Sequence, residues 1–105
     1  MIKVSVLYPN KPGSHFDMNY YVSKHMPLAM RLLKKGLLKT EVDAGLQGTA
    51  PGQPPAFHGG CQFLFDSIEA FAEVWGPAAK EIVADIPRYT DVEPVIQFNE
   101  LKLSV

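Results

Sequence analysis

The chain predicts an α+β fold of the ferredoxin-like kind, a βαββαβ sandwich whose four-stranded antiparallel sheet carries both helices on one face. Three observations lead there. Four segments alternate apolar and polar residues with a period of two, one near each end and two in the middle. Two stretches of helical period each follow a capping sequence, one opening at Ser14 and the other at Asp66-Ser67. The resulting order is that of the split βαβ motif.

The first strand spans Ile2–Tyr8, where Ile2, Val4, Val6 and Tyr8 alternate with Lys3, Ser5 and Leu7. Pro9-Asn10-Lys11-Pro12-Gly13 ends it, because proline offers no ladder donor and glycine accepts turn dihedrals. Ser14 and Asp17 have the spacing of a capping box. The helix after them places Met18, Tyr21, His25, Leu28 and Leu32 on one stripe. Pro27 lies within it, removes a bond to the Ser23 carbonyl and predicts a kink; Gly36 is the expected stop.

A second strand is expected over Leu37–Leu46. Residues 47–60 hold three prolines and four glycines and read as a mobile loop that closes over a pocket mouth. The third strand is Gly60–Phe65, with Cys61, Phe63 and Phe65 on one face. Asp66-Ser67-Ile68-Glu69 caps a helix with the stripe Ile68, Phe71, Ala72 and Trp75, which Gly76-Pro77 should break before a short helix running to about Ile86. Glu93–Leu103 supplies the last strand.

At 105 residues the sequence suits one domain, residues 1–105, with one core. A formal net charge of -1 gives no electrostatic footprint for nucleic acid or an anionic membrane, and no apolar run is long enough to span a bilayer. Cys61, the only cysteine, excludes an intramolecular disulfide and fits a cytoplasmic location. His58-Gly59-Gly60-Cys61-Gln62-Phe63-Leu64-Phe65 faintly echoes the third-strand signature of RNA-recognition modules, but the stacking positions would hold Gly60 and Gln62, which carry no ring.

One sheet face, with Ile2, Val4, Val6, Cys61, Phe63, Phe65, Ile96 and Phe98, is apolar and must meet the helices. The other mixes Ser5, Gln62 and Gln97 with Leu7, Leu64 and Val95, a composition suited to packing against a copy of itself. A homodimer closing two sheets into a barrel is the expected assembly.

The segment Tyr20-Tyr21-Val22-Ser23-Lys24-His25-Met26-Pro27-Leu28, a tyrosine followed four residues on by His-x-Pro, resembles the helix signature of the EthD family. Ile2-Lys3-Val4-Ser5-Val6-Leu7-Tyr8-Pro9 and Asp91-Val92-Glu93-Pro94-Val95-Ile96-Gln97-Phe98 also resemble that family, so the likeness spans essentially the whole chain. It implies a dimeric α/β barrel. The family takes its name from an ether-degradation gene cluster and is filed under oxidoreductases, and the wider superfamily includes cofactor-free monooxygenases and isomerases. The resemblance therefore implies a protein of small-molecule catabolism, an enzyme or a metabolite-binding accessory to a partner oxygenase.

His25, on the apolar stripe beside Pro27, is the expected proton carrier, with Tyr21 one turn earlier and Tyr8 at the sheet rim assisting. Val6, Phe63, Phe65, Phe71 and Trp75 are the expected walls of a pocket for a small apolar, cyclic or aromatic metabolite. His15, His25 and His58 have no metal-ligand spacing, and no nucleotide-binding or nucleophile-elbow motif is present, so neither metal nor cofactor is expected. Asp17, Asp66 and Glu69 serve as caps, whereas Asp85 and Glu100 have no evident partner in the sequence.

Overall fold

A computed structural model describes residues 1–105 and places the first strand, β1 (Ile2–Pro9), in the middle of the sheet. The other strands are β2 (Lys39–Ala44), β3 (Phe57–Phe65) and β4 (Val95–Glu100), arranged in the order β2-β3-β1-β4. Every pairing is antiparallel, with Val4 opposite both Phe63 and Phe98. Two helices link the strands as the βαββαβ order requires. The core of Val4, Tyr8, Phe63, Phe65, Phe71 and their neighbours lies between sheet and helices.

The first helix, α1, is not uniform. It begins as Met18–Tyr20, widens to π-helical winding over Tyr21–His25 and resumes as Met26–Leu32, with the Met26 N–H bonded to the Tyr21 carbonyl. Just ahead of Pro27, where a kink is expected, the helix takes in an extra residue, a common response where the regular ladder cannot continue. The wider turn also moves the buried stripe. Tyr21, His25, Ala29 and Leu33 point inward at steps of four, while Leu28 and Leu32 are only half-buried. Asp17, not Ser14, caps this helix, accepting from the Tyr20 N–H. Ser14 is turned away to the Lys11 carbonyl and His58.

The second helix, α2 (Ile68–Asp85), is capped by Ser67, which accepts from the Ala70 N–H. It runs unbroken through Gly76 and Pro77. Both are exposed, and water can satisfy the carbonyl that Pro77 leaves free. Its buried stripe is Phe71, Val74, Ala78 and Ile82, with Ile68 and Ala72 outside it. A short 3₁₀ turn, Ile86–Arg88, follows.

Three segments differ from expectation at or beside the sheet. β3 starts at Phe57, so Gly59 and Gly60 sit in the ladder opposite Tyr8 and Leu7. Glycine is what allows this at Gly60, where a Cβ would lie 2.1 Å from the Val6 carbonyl oxygen. Residues 45–56 are held at both ends and close on themselves in one internal turn. The Gly45 N–H donates to the His58 carbonyl, Gly48 to Gln53, and Asn10 reaches both Ala56 and Pro55. β4 is an edge strand, and Ile96 and Phe98 on its inner side remain 49% and 45% exposed, although Phe98 packs edge-on against Phe71.

Candidate active site

Between α1, α2 and the sheet lies a cavity of about 390 Å³. Val6, Tyr8, Cys61, Phe63 and Ile96 line it from the sheet. Tyr21, His25 and Met26 line it from α1, and Trp75 and Ile82 from α2. Glu93 and Pro94 complete the wall ahead of β4. This is the ordinary form of a small-molecule site: a largely apolar enclosure with a few polar groups converging on it.

The polar groups are organised around His25. Its Nδ1 lies 2.9 Å from Asp85 Oδ2, and the Tyr20 hydroxyl donates to Asp85 Oδ1 at 2.8 Å. Arg88 Nε stands 3.7 Å from the same oxygen. Asp85 ends α2, where the helix dipole disfavours a negative charge, so these partners carry the burden of keeping it ionised. Burial pushes its carboxyl upward, but the bonds from His25 and Tyr20 prevail and hold it below the usual carboxylate range.

An ionised carboxylate can only accept, so the His25 Nδ1 carries the proton. Nε2, which makes no hydrogen bond within the protein, keeps its lone pair. Burial makes the ring harder to protonate than usual, and the pull of Asp85 only partly offsets it. The pair is thus a neutral imidazole backed by a carboxylate, the arrangement that fixes one tautomer and favours proton uptake at the far nitrogen.

Around this pair the aromatic rings interlock. Tyr21 stacks on His25 with centroids 5.6 Å apart, and Tyr89 tilts against His25 at 4.6 Å. The Tyr8 and Tyr89 hydroxyls meet at 2.6 Å. Burial, its largest cause, raises Tyr8 to about 12, and it lifts Tyr21 and Tyr89 further still, so all three stay neutral donors. The Tyr21 hydroxyl is buried without a hydrogen-bond partner and faces Cys61, whose thiol burial raises to about 11. That thiol is poorly suited to act as a nucleophile.

The structure brings together most of the residues expected from the sequence. His25, Tyr21, Tyr8, Val6, Phe63 and Trp75 all line the cavity. Phe65 and Phe71 do not. They pack against each other at 5.3 Å, Phe65 sitting opposite Ile2 at the far end of the sheet. No residue of the segment 45–56 borders the cavity. Asp85, which has no visible partner in the sequence, is the partner of His25, and Tyr20 and Tyr89 join it. Asp85 lies 60 residues from His25 and Tyr89 further still, which leaves no spacing signal for either. Only the capped, amphipathic α2 could have indicated that its last turn returns over the first helix.

Ser14 and His58 also approach, at 2.8 Å, but not as a nucleophile and its base. Ser14 spends its single hydroxyl hydrogen on the Lys11 carbonyl, so His58 must donate to Ser14. The contact clasps the loop onto β3.

A consequence of the buried, neutral His25 is a defined pH dependence. Its folded-state value lies below the ordinary 6.5, so the unfolded chain binds the proton first as pH falls. The stability it contributes is complete above about 6.5 and is lost as pH drops through the folded value, with Asp85 adding a loss in the same direction below 3.8. Urea midpoints measured across this range should be level on the neutral side and decline in acid. A His25 imidazole titrating above 6.5 by NMR would mean that Asp85, not burial, dominates its protonation.

Comparison with known proteins adds four findings. The EthD domain matches residues 15–93. The crystal structure of an EthD-like protein from Ralstonia eutropha JMP134 is 40% identical, superposes with a TM-score of 0.94, and the match covers 99% of this chain and 94% of that one. An ethyl tert-butyl ether degradation (EthD) family protein from Bacillus halodurans C-125, 18% identical over 97% of this chain and 99% of that one, shares the fold with a TM-score of 0.67. No curated protein matches the chain.

Proposed function

The chain belongs to the EthD family, and from that premise we propose that it binds a small apolar, cyclic or aromatic metabolite in the cavity and moves a proton on it. Family membership supports an association with small-molecule degradation. The observation that carries the catalytic reading is the His25–Asp85 pair, 2.9 Å apart, set in the wall of an otherwise apolar enclosure. His25 Nε2 takes a proton from an acidic C–H or O–H of the ligand, and Asp85 stabilises the imidazolium that forms. The ligand's electrons move onto an oxygen that a neutral tyrosine hydroxyl can hydrogen-bond. Returning the proton to a different carbon completes an isomerisation. Capture of the same carbanion by dioxygen, as co-reactant, would make it an oxidation without a cofactor.

The test needs no knowledge of the natural substrate. The protein should accelerate exchange of the methyl protons of 3′-hydroxyacetophenone with deuterated water, followed by NMR. Binding of this ketone with no acceleration would favour the accessory role, a protein that delivers a metabolite to a partner oxygenase.

The assembly belongs to the same proposal. On the outer sheet face Ser5 bonds Gln62, Asn99 bonds Ser5, and Gln97 bonds Asn99, a polar ladder flanked by Leu7, Leu64 and the half-exposed Val95. A homodimer burying roughly 800 Å² per partner there would be of standard size. Leu64→Lys is expected to shift it toward monomer in light scattering. Wild-type protein that is monomeric at micromolar concentration would end this reading.

A further inference from the structure

One side chain joins the His25–Asp85 pair without bordering the cavity. Resting on the reading of His25 as the proton carrier, we infer that Tyr20 is a positioning residue, which acts through Asp85 to lock His25 in the tautomer that leaves Nε2 free to take a proton. Neither Tyr20 nor Asp85 lines the cavity, so neither acts on a ligand directly. Each oxygen of the carboxylate has its own donor. His25 Nδ1 lies 2.9 Å from Oδ2, and the Tyr20 hydroxyl lies 2.8 Å from Oδ1.

A carboxylate held at one oxygen turns easily about its terminal bond, and a second donor fixes its plane. Asp85 has reason to turn. It ends α2 with its side chain 14% exposed, and the Arg88 Nε stands 3.7 Å from Oδ1 on a side chain that is 72% exposed. Without the Tyr20 bond, Arg88 and water draw the carboxylate outward, and Nδ1 loses the acceptor that fixes its proton. Tyr20 is itself braced, its ring stacked on the buried Tyr89 with centroids 6.1 Å apart.

The π turn of α1 is what sets Tyr20 in place. Five residues of regular α-helix advance about 500°, which would leave Tyr20 and His25 about 140° apart around the axis. In the wider winding, marked by the Met26 N–H bonded to the Tyr21 carbonyl, the fifth residue closes the turn instead. Tyr21 can then cover the His25 ring while Tyr20 reaches its carboxylate.

Tyr20→Phe tests this, because it keeps the ring and its stack and removes only the hydroxyl. On the alkaline side of the His25 titration, ¹⁵N NMR of the wild-type ring should show one tautomer, protonated at Nδ1. The variant should show a mixture of the two. At saturating 3′-hydroxyacetophenone, methyl-proton exchange should slow about tenfold, the scale of one lost hydrogen bond, with half-saturation within about twofold of wild type. A residue that acts through another has no effect once the other is gone. In an Asp85→Ala background, therefore, Tyr20→Phe should change neither the ring signals nor the exchange rate. A single Nδ1–H tautomer that survives Tyr20→Phe would overturn the inference, as would a slowing that persists undiminished without Asp85. Mixed tautomers in the wild-type ring would overturn it too, and that measurement needs no variant. The ring signals also need no ligand. A lock that depends on Tyr20, found in a protein that neither binds the ketone nor exchanges its protons, would uphold the lock and remove the proposed function instead.

Discussion

His25→Asn is expected to slow proton exchange on the bound ketone by about 10²–10⁴-fold while moving the melting temperature by only a few degrees. Asparagine has no nitrogen that titrates near neutrality, yet its amide can still donate to Asp85, so the carboxylate at the end of α2 keeps a partner. A histidine that served packing alone would behave otherwise. Its replacement would lower stability by about 1–3 kcal/mol, or less if the amide reproduces the bond, without a selective effect on exchange. Unchanged exchange in a folded His25→Asn variant would remove the catalytic reading and leave binding as the cavity's role.

The second large effect falls on stability and spares the site. Phe65 is wholly buried at the end of the sheet away from the cavity, against Phe71 and beneath Gly36. Truncation as Phe65→Ala should cost about 3–5 kcal/mol, a large share of what holds a domain of this size together. Denaturant midpoints would report that loss. Where the variant is still folded, in the cold or with stabilising salt, its affinity for the ketone should match the wild type. Trp75→Ala should do the reverse in part, because Trp75 lines the cavity and is only half-buried. If Phe65→Ala weakens binding in the folded state, the division between core and cavity drawn here is wrong.

That division marks the limit of what the sequence made legible. Period-two and helical patterns are local, and they identified four strands, two helices and the inner sheet face with boundaries a few residues off. The site is non-local. Alternation places Val6, Phe63 and Phe65 on one face alike, but only the positions of the helices over the sheet decide that the first two border a cavity and the third does not. His25 stood out because a histidine among apolar neighbours must find a partner. Which partner depended on α2 continuing past Gly76-Pro77, and proline-glycine pairs ordinarily signal an end. The shift of the α1 stripe was equally hidden, since a helical wheel assumes 3.6 residues per turn throughout.

The strand order has a consequence for biosynthesis. Val6 pairs with Cys61 on one side and Ile96 on the other, so of the four strands the one made before the others is the one whose neighbours arrive last. At about 5–20 residues per second, β1 waits roughly 2–10 s for β3 and longer for β4, with at least one edge open throughout. The β2–β3 pair can meanwhile close within microseconds once both strands have emerged. Lys3 at one end of β1 and Pro9 at the other are the kind of residues that discourage stray edge-to-edge association during that interval. Partners that shield nascent chains would therefore act mainly on β1, and truncated products lacking β4 would leave the middle strand of the sheet as an unprotected edge.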